Sequence, residues 1–556
     1  MKKIIFPTLI FLVCISCTTT EKKQSLFDLA RANKDILKVS TILTAQDVRD
    51  RLSTDPGIDS AIHWCKEAGI TRVFLEEFRS NFTADRKVLE HARDRFESEG
   101  IEASGGITTT IIGKPSSSGS IVSCYTDQKT CDELKEKMEY AASMFDVIMI
   151  DDFLFTDCEC DECKKAAGDM PMWEYRCNLM DKVSEEYMLK PALAVNPNVK
   201  VIIKYPQWYD DFHRRGYDVD IETKLFPIIW VGTETRDSDL SRTDRGWEKP
   251  QYEGYYIMRW LGAIGGDKTG GGWFDALGTT PVNYLEQARQ TVLGGAKEMM
   301  LFSFGGLHRE KNNYGHREGT GVADLEALKT EMPALFKLAT LIKDKPIKGI
   351  SAPKIPNSSP YLQAVNGKDF YTEKGDAYIY DFIGMMGFPL VPSGEITTDV
   401  PAAFFPLQSL KDPQFREKLN SMLAQHKPVM ISQTLDSILG HPSDENLIVL
   451  TDNGNLRNLV LYDRSTLNSI RDKMLTPFGV TFDAPSMVTF YLIGEDMLAV
   501  ENFNNGPVGL KIGMDFHSGA NLKLTLPEDS VTEFEASQKE LAIKKLPART
   551  LAVFQF

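Results

Sequence analysis

The feature that most constrains the fold is a repeated alternation of apolar, strand-like runs and helix-like segments between residues 38 and 345. Eight runs have the length and apolar content of buried strands. They are Leu37–Leu43, Arg72–Phe78, Glu102–Ile107, Val147–Phe153, Val201–Tyr205, Ile228–Gly232, Gly271–Phe274 and Glu298–Phe304. Several intervening helices end at a glycine just before the next strand, as at Gly69 and Gly100. Eight such units predict an α/β fold of the (β/α)8 TIM barrel type, with a doubly wound open sheet as the competing interpretation.

The rest of the chain predicts two further domains, because 556 residues exceed the size of one ordinary domain. The barrel is expected at 24–347, followed by a linker rich in proline and glycine at 348–360. Strand-like and helix-like patterns alternate again at 355–480, which predicts a small α/β domain. Residues 485–556 contain only strand-like runs, which predicts a C-terminal β-sandwich.

The first 23 residues resemble a bacterial lipoprotein signal peptide. Lys2 and Lys3 precede an apolar run, Ile4 to Ile15, that is too short to span a bilayer comfortably. Ser16-Cys17 follows, so we expect cleavage before Cys17 and attachment of lipid to its thiol. This places the protein on the periplasmic or the outer face of the bacterial cell envelope. An ordinary secretory signal with an incidental cysteine is the alternative, because the leucine usual three residues earlier is Cys14.

Charge and histidine content exclude several classes of function. The chain has 63 basic and 78 acidic side chains, a net charge of −15. Nucleic acid is therefore not expected as a partner, because proteins that bind it need positive surfaces. Only 8 histidines are present, none in an H-x-H or H-E-x-x-H pattern. This disfavours a metal-dependent hydrolase or lyase.

Acidic residues follow four of the predicted strands, where barrel enzymes place their reacting groups. They are Glu77 after the second strand, Asp151 and Asp152 after the fourth, Glu234 after the sixth and Asp275 after the seventh. Paired carboxyl groups across a barrel mouth suit glycoside cleavage, in which one protonates the leaving oxygen. Barrels that bind metals or phosphates also place acids at these positions.

Further residues near the strand ends are expected to contact substrate. Tryptophan rings can stack on sugar faces, and polar side chains can position hydroxyl groups. The expected substrate contacts, besides Glu77, are Lys204, Tyr205, Trp208, Trp230 and Trp273.

Cysteines in a C-x-C-x2-C motif form the most specific pattern in the chain. Cys158, Cys160 and Cys163 supply three thiolates within one loop, and a fourth would complete a tetrahedral zinc site. Cys124 is the preferred fourth ligand and Cys131 the alternative. Four thiolates leave no open position, so the zinc would be structural, and no organic cofactor is expected. Free thiols or disulfides in an oxidising compartment are the competing interpretation.

This motif beside the strand-four acid, together with the order of the three domains, resembles the β-galactosidases of glycoside hydrolase family 42. In that family the loop cysteines bind structural zinc, and the middle domain mediates trimer formation. The resemblance therefore implies a homotrimer and a zinc site at Cys124, Cys158, Cys160 and Cys163.

The resemblance also implies catalytic roles. The family has an acid/base Glu, preceded by Asn, at the end of strand four and a nucleophile Glu on strand seven. By position, Asp152 becomes the acid/base, Asp151 replaces the Asn, and Asp275 becomes the nucleophile. Both catalytic Glu are Asp here, so the chain is expected to be a distant relative and the β-galactosidase specificity is not transferred.

The sequence thus predicts an exported, lipid-anchored glycoside hydrolase that acts from the non-reducing end of an oligosaccharide or polysaccharide. The alternative is a lipoprotein that binds glycans without cleaving them, which the missing Glu pair favours. Substitution of Asp152 or Asp275 distinguishes the two, because in a binding protein it would alter affinity and no product would ever appear.

Overall fold

The computed structural model describes residues 24–236, 250–310, 320–360, 375–516, 522–528 and 531–556. The predicted signal peptide at 1–23, with Cys17, lies outside these residues. Within the described ranges, no helix combines the length and apolar character needed to cross a membrane.

Eight parallel strands form a closed barrel. They are β1 (Lys38–Leu43), β2 (Arg72–Arg79), β3 (Glu102–Ile107), β4 (Val147–Ile150), β5 (Lys200–Tyr205), β6 (Ile228–Gly232), β7 (Thr269–Asp275) and β8 (Glu298–Phe302). Each strand pairs with the next, and β8 pairs with β1 through the register Lys38↔Glu298. A short strand, Phe82–Thr83, runs antiparallel to the end of β2. The predicted TIM barrel is confirmed, and the open sheet is wrong because the edge strands meet.

Helices surround the barrel and connect its strands. Most begin at a side chain that caps the first turn, such as Thr44, Asp85 or Thr280. The helices of this region are Leu26–Asn33, Ala45–Arg51, Asp55–Glu67, Arg86–Ser98, Gln128–Ala142, Asp161–Ala167, Met172–Lys182, Val183–Leu189 (a π-helix), Lys190–Val195, Phe212–Arg215, Val219–Leu225, Glu253–Gly265, Gly266–Lys268 (a 3-10 helix), Pro281–Leu293, Phe304–Leu307 and Gly321–Ile342.

Large side chains fill the barrel interior, and their position determines which residues face the mouth. The interior layer consists of Ile42, Phe74, Met149, Ile202, Trp230, Trp273 and Met300. Side chains alternate between the two faces of a strand, so a residue two positions further along points into the same interior. On this basis Glu76, Asp151, Lys204 and Asp275 face the mouth at the carboxyl ends of their strands.

The middle region contains a five-stranded parallel sheet. In chain order its strands are Ile350–Pro353, Leu390–Ser393, Ala403–Phe405, Val429–Ser432 and Leu447–Leu450. In space the second strand lies at one edge, followed by the first, third, fourth and fifth. Its helices are Ile379–Met385, Leu407–Lys411 (3-10), Phe415–Ala424, Gln433–Leu439, Leu456–Leu461 (3-10), Arg464–Leu475 and Thr476–Phe478 (3-10).

The predicted linker at 348–360 is wrong in part. Residues Ile350–Pro353 form a strand between two neighbours of the middle sheet, and Ile347–Lys348 pairs with the C-terminal domain. Proline is tolerated here because Pro353 ends its strand.

The C-terminal region consists of two antiparallel sheets, which confirms the predicted β-sandwich. The five-stranded sheet contains, in spatial order, Ile347–Lys348, Val488–Ile493, Met497–Asn502, Thr550–Gln555 and Lys523–Leu526. The four-stranded sheet contains Thr481–Asp483, Val508–Gly513, Glu540–Leu546 and Glu533–Ala536.

Candidate active site

The first group of charged residues at the barrel mouth is centred on Asp151, directly after β4. One carboxyl oxygen lies 2.6 Å from Nζ of Lys204, and the other accepts hydrogen bonds from Arg79 (2.5 Å) and Thr108 (3.1 Å). Asp151 is fully buried, which raises its pKa, but Lys204 and Arg79 outweigh burial and hold the pKa well below its usual value. Asp151 therefore stays ionised and engaged by cations, which suits a supporting role.

Glu76 extends this group on β2. Its carboxylate accepts hydrogen bonds from Nε of Arg79 (2.8 Å), from the backbone N–H of Ala45 (2.8 Å) and from the hydroxyl of Thr108. Sequence reasoning missed Arg79 and Thr108. The spacing of Glu76 and Arg79, three residues apart at a strand end, is a local signal that could have indicated Arg79, whereas Thr108 follows a different strand.

The second group is centred on Arg236, beyond β6. Its Nη2 lies 2.8 Å from Oδ2 of Asp275 and 3.1 Å from Oε2 of Glu234. Its Nε donates to both carboxyl oxygens of Asp275 at 3.2 Å. Trp273 Nε1 donates to the other oxygen of Glu234 at 2.5 Å. Sequence reasoning missed Arg236, because nothing in the local pattern distinguishes it from an ordinary loop cation.

Asp152 lies within electrostatic reach of both groups. It is half-buried, and burial together with the negative charge of Asp151 raises its pKa to about 6. Lys204, Arg236 and Arg79 oppose this shift. Asp152 is therefore a carboxyl group that can exchange a proton near neutral pH.

Glu234 is also protonated more readily than an exposed acid. Burial raises its pKa to about 8, against the opposing charge of Arg236, and the charges of Asp275 and Asp152 add to the increase. The structure thus brings together four of the predicted acids: Asp151, Asp152, Glu234 and Asp275.

Three of the predicted substrate contacts do not face the mouth. Trp230 is fully buried inside the barrel, where its ring packs edge-on against Phe74 with centroids 5.3 Å apart. Tyr205 is buried on the outer face of β5, and its hydroxyl donates to Glu222 at 3.3 Å. Glu77 also points outward, towards the helix that bears Lys137. The predictions for Tyr205 and Glu77 fail because adjacent strand residues face opposite sides, and the prediction for Trp230 fails because its ring lies in the packed interior layer below the mouth.

The remaining predicted contacts lie at or near the mouth. Trp273 is buried, and Lys204 Nζ covers its ring at 3.9 Å from the centroid, so this ring positions Glu234 and offers no face to a sugar. Trp208 is half-buried in the loop after β5, against Phe155 and Tyr217. Its expected contact with substrate stays a prediction.

The two adjacent glutamates of β2 should respond differently to substitution. Glu76→Gln removes a charge that faces Arg79, so we expect the free energy of unfolding to fall by about 3 kcal/mol. In Glu77, burial raises the pKa well above its usual value and no carboxyl oxygen has a hydrogen-bond partner in the described chain. Glu77→Gln therefore breaks no ion pair or side-chain hydrogen bond within the described residues and should change stability by less than about 1 kcal/mol. Urea unfolding at pH 7 measures both; equal losses would contradict the assignment of faces.

Beside the mouth, four cysteine sulfurs converge. Cys124, Cys158, Cys160 and Cys163 place their Sγ atoms within 4.8 Å of one another. The separations from Cys124 to Cys160 and to Cys163 are 3.8 and 3.6 Å, and Cys160 lies 3.5 Å from Cys163. A tetrahedral site with Zn–S bonds of about 2.3 Å spaces its sulfurs about 3.8 Å apart, so these residues fit zinc.

Neighbouring polar groups contact two sulfurs of this cysteine cluster. The backbone N–H of Ser117 donates to Cys158 Sγ at 3.4 Å, and Nζ of Lys114 lies 3.7 Å from Cys160 Sγ. The alternative ligand, Cys131, lies apart, with its thiol against the carbonyl of Tyr125. The structure therefore places Cys124 with the loop motif.

Comparison with known proteins bears on the enzyme class. A family model described as "Probable glycosyl hydrolase, catalytic domain" matches residues 23–338, more than half of the chain. The chain belongs to this glycosyl hydrolase family. The predicted class, a glycoside hydrolase, is confirmed by this match.

Individual relatives of this glycosyl hydrolase are distant. An uncharacterised protein of Saccharolobus solfataricus is 26% identical over 392 residues, which are 65% of this chain. The chain spans only 60% of the length of that relative.

Two solved structures share the fold. The α-L-fucosidase isoenzyme 2 of Paenibacillus thiaminolyticus aligns over 93% of this chain and 99% of its own, with a TM-score of 0.57 and 10% identity. A β-galactosidase of Halorubrum lacusprofundi aligns over 94% and 99%, with the same TM-score and identity. At 10% identity these two structures show a shared fold alone, and the predicted distant relationship to the β-galactosidases of family 42 stays a prediction.

Proposed function

We propose that this glycosyl hydrolase cleaves O-glycosidic bonds of oligosaccharides or polysaccharides, with Asp152 as general acid/base and Asp275 as nucleophile. The observation that supports this best is the meeting of two carboxyl groups at one barrel mouth in opposite electrostatic environments. A pair of carboxyl groups at one barrel mouth is the arrangement that acid/base glycoside cleavage requires.

Asp275 suits the nucleophile because hydrogen-bond donors surround and orient its carboxyl group. Two nitrogens of Arg236 donate to it, and the backbone N–H of Leu277 donates to Oδ1 at 3.0 Å. A small pocket lined in part by Leu277, Phe302 and Arg309 lies next to this strand end. In the proposed reaction an oxygen of Asp275 bonds to the anomeric carbon as the glycosidic C–O bond breaks.

Asp152 suits the acid/base because it forms no ion pair within the described residues and its pKa, about 6, lies close to neutral. In the first step its proton passes to the leaving glycosidic oxygen. In the second step it takes a proton from water, whose oxygen displaces Asp275 from the anomeric carbon. The pH near which Asp152 titrates, about 6, permits both roles.

An activity screen tests the proposal. The soluble form starting at Gln24 would be assayed against a panel of aryl-glycosides and of plant and host glycans. Sugar release by the wild type that is lost in both Asp152→Asn and Asp275→Asn would support the proposed pair. Retained activity in both variants would indicate that Glu234 is a catalytic residue instead. Binding of glycans without release by the wild type would contradict the proposed reaction and favour the binding protein.

The pH dependence of kcat/KM separates Asp152 from Glu234. A general acid must be protonated, so activity should fall as the pH rises through the pKa of the acid. If Asp152 donates the proton, the basic limb lies near pH 6 and persists in Glu234→Gln. A limb near pH 8 that disappears in Glu234→Gln would instead identify Glu234 as the acid.

We also propose that Cys124, Cys158, Cys160 and Cys163 hold a structural zinc ion. Thiolates are the ligands that close such sites, and four of them leave no position for substrate. Bound there, zinc would tie the loop after β3, which bears Cys124, to the loop after β4. The latter loop begins at Asp151 and includes Asp152, so the cluster would stabilise the protein next to the proposed acid.

We further propose that the enzyme is exported and anchored by lipid on Cys17, on the periplasmic or outer face of the envelope. The n-region, short apolar run and Ser16-Cys17 support this. The Cys17→Ser variant, expressed in a bacterial host, should move from the membrane fraction to the soluble fraction or remain unprocessed. Cleavage and membrane association both equal to the wild type would contradict the anchor. The homotrimer stays a prediction, which sedimentation would measure.

A further inference from the structure

The middle domain has the strand order of a sheet that normally binds a ligand. Its order, second-first-third-fourth-fifth, is that of flavodoxin-like folds, whose ligands lie beyond the carboxyl ends of the first and third strands. Here the first strand is followed by Lys354 and the third by Gln408. Lys354 is fully buried and donates to Gln408 Oε1 at 2.7 Å.

A side chain of the barrel occupies this position. Asp210, from the loop after β5, is fully buried with Oδ1 2.9 Å from Nζ of Lys354. Its other oxygen accepts a hydrogen bond from the backbone N–H of Tyr378 at 2.6 Å. The carboxylate thus lies where an anionic ligand of such a sheet would lie, and it is bound by a middle-domain cation and backbone amide.

Neighbouring contacts hold the same loop against the middle domain. The hydroxyl of Tyr209 donates to Asp381 at 2.8 Å, and its ring packs edge-on against Tyr378 with centroids 5.1 Å apart. The indole of Trp260 donates to the carbonyl of Lys354 at 2.7 Å. A buried ion pair within such a polar network fixes geometry, because leaving either charge unpaired is costly.

The other end of this loop touches the active site. A Cβ atom on Gly232, at the end of β6, would lie 3.0 Å from both the backbone N of Gln207 and Cα of Pro206. It would lie 2.9 Å from the ring of Trp273, which donates to Glu234. The loop backbone therefore packs against the strand end that leads to Glu234. Trp208 follows directly and is half-buried, the position expected for a substrate rim.

We infer that Lys354 is a positioning residue, through which the middle domain holds Asp210 and so places Trp208 and the loop after β5 at the substrate-binding mouth. This rests on the proposed function for the identity of the mouth. The position beyond the carboxyl ends of the first and third strands of the middle sheet then binds the barrel loop and not a small molecule.

The test is a paired neutral variant, because Lys354→Met alone leaves Asp210 buried and unpaired and would hinder folding. Lys354→Met/Asp210→Asn removes both charges and keeps an acceptor for Tyr378. The matched control, Lys345→Met/Asp496→Asn, removes an ion pair of 2.6 Å between the segment after the last barrel helix and the C-terminal domain. Both would be compared with the wild type by hydrogen exchange and by kinetics on the aryl-glycoside that the wild type cleaves fastest.

We expect amides of residues 206–217 to exchange at least tenfold faster in the Lys354 variant and unchanged in the control. KM should rise about tenfold, with kcat within threefold, because the rim binds substrate and bears no reacting carboxyl group. Unchanged exchange overturns the inference, and so does faster exchange with unchanged KM. If the wild type cleaves no glycoside, the proposed function fails, and exchange alone then decides whether Lys354 positions the loop.

Discussion

Asp275→Asn is expected to lower kcat by about 10⁴-fold or more, since an amide is a far weaker nucleophile than a carboxylate. This corresponds to about 5.5 kcal/mol of lost transition-state stabilisation. The asparagine keeps one oxygen, which in the place of Oδ1 still accepts from Nε of Arg236 and from the N–H of Leu277, so the fold should persist. The measurement is initial rate on the best aryl-glycoside, with circular dichroism to verify folding.

The matched control for this variant is Asp267→Asn. Asp267 is fully exposed just before the other end of β7, so the same chemical change is made at the amino end of the same strand. Its kcat should stay within twofold of the wild type. A loss of activity in Asp267→Asn as large as in Asp275→Asn would indicate general damage to β7. Full activity in Asp275→Asn would exclude this residue as the nucleophile.

Cys124→Ser is expected to reduce bound zinc from one ion per chain to nearly none. A serine hydroxyl is a poor zinc ligand at neutral pH, and structural zinc contributes its binding free energy to folding. We expect the variant to lose several kcal/mol of unfolding free energy, with the loops beside Asp152 losing order first. Metal content by mass spectrometry of the purified protein and urea unfolding measure the two effects.

Cys131→Ser provides the control for the cysteine cluster. It removes a thiol of the same region that lies outside the four converging sulfurs, so it should retain zinc and nearly the wild-type stability. Equal metal loss in both variants would refute the assigned ligand set. A wild type without zinc, purified without chelators and with its thiols paired as disulfides, would contradict the zinc proposal altogether.

The acids at the barrel mouth show how stability and function oppose each other. Burial raises the pKa of Asp152 above its value in the unfolded chain, so its ionisation above pH 6 destabilises the fold. The folded state binds the proton of Asp152 more tightly than the unfolded chain does. The contribution of this proton to the free energy of unfolding is therefore present at low pH and is lost as the pH rises from about 4 to about 6. Arg79, Lys204 and Arg236 offset part of this cost.

The amino-acid sequence by itself determined the barrel, the β-sandwich and the strand ends where chemistry would occur. All eight barrel strands were predicted to within a few residues because their apolar runs and helix ends are local patterns. Asp152 just after one buried strand, Asp275 at the end of another and the C-x-C-x2-C loop are likewise local patterns, and their roles in catalysis and zinc binding stay predictions. Such features depend on neighbours within one turn or one strand.

Only the tertiary structure decided which side chains meet. Arg79 pairs with Asp151 across 72 positions of sequence, and Arg236 with Asp275 across 39. The choice of Cys124 over Cys131 and the inward facing of Glu76 over Glu77 likewise follow from strand register and loop paths. The ion pair of Lys354 with Asp210 joins two domains. These contacts arise when distant segments are packed together, and a local pattern contains no information about the partner that each charge will find.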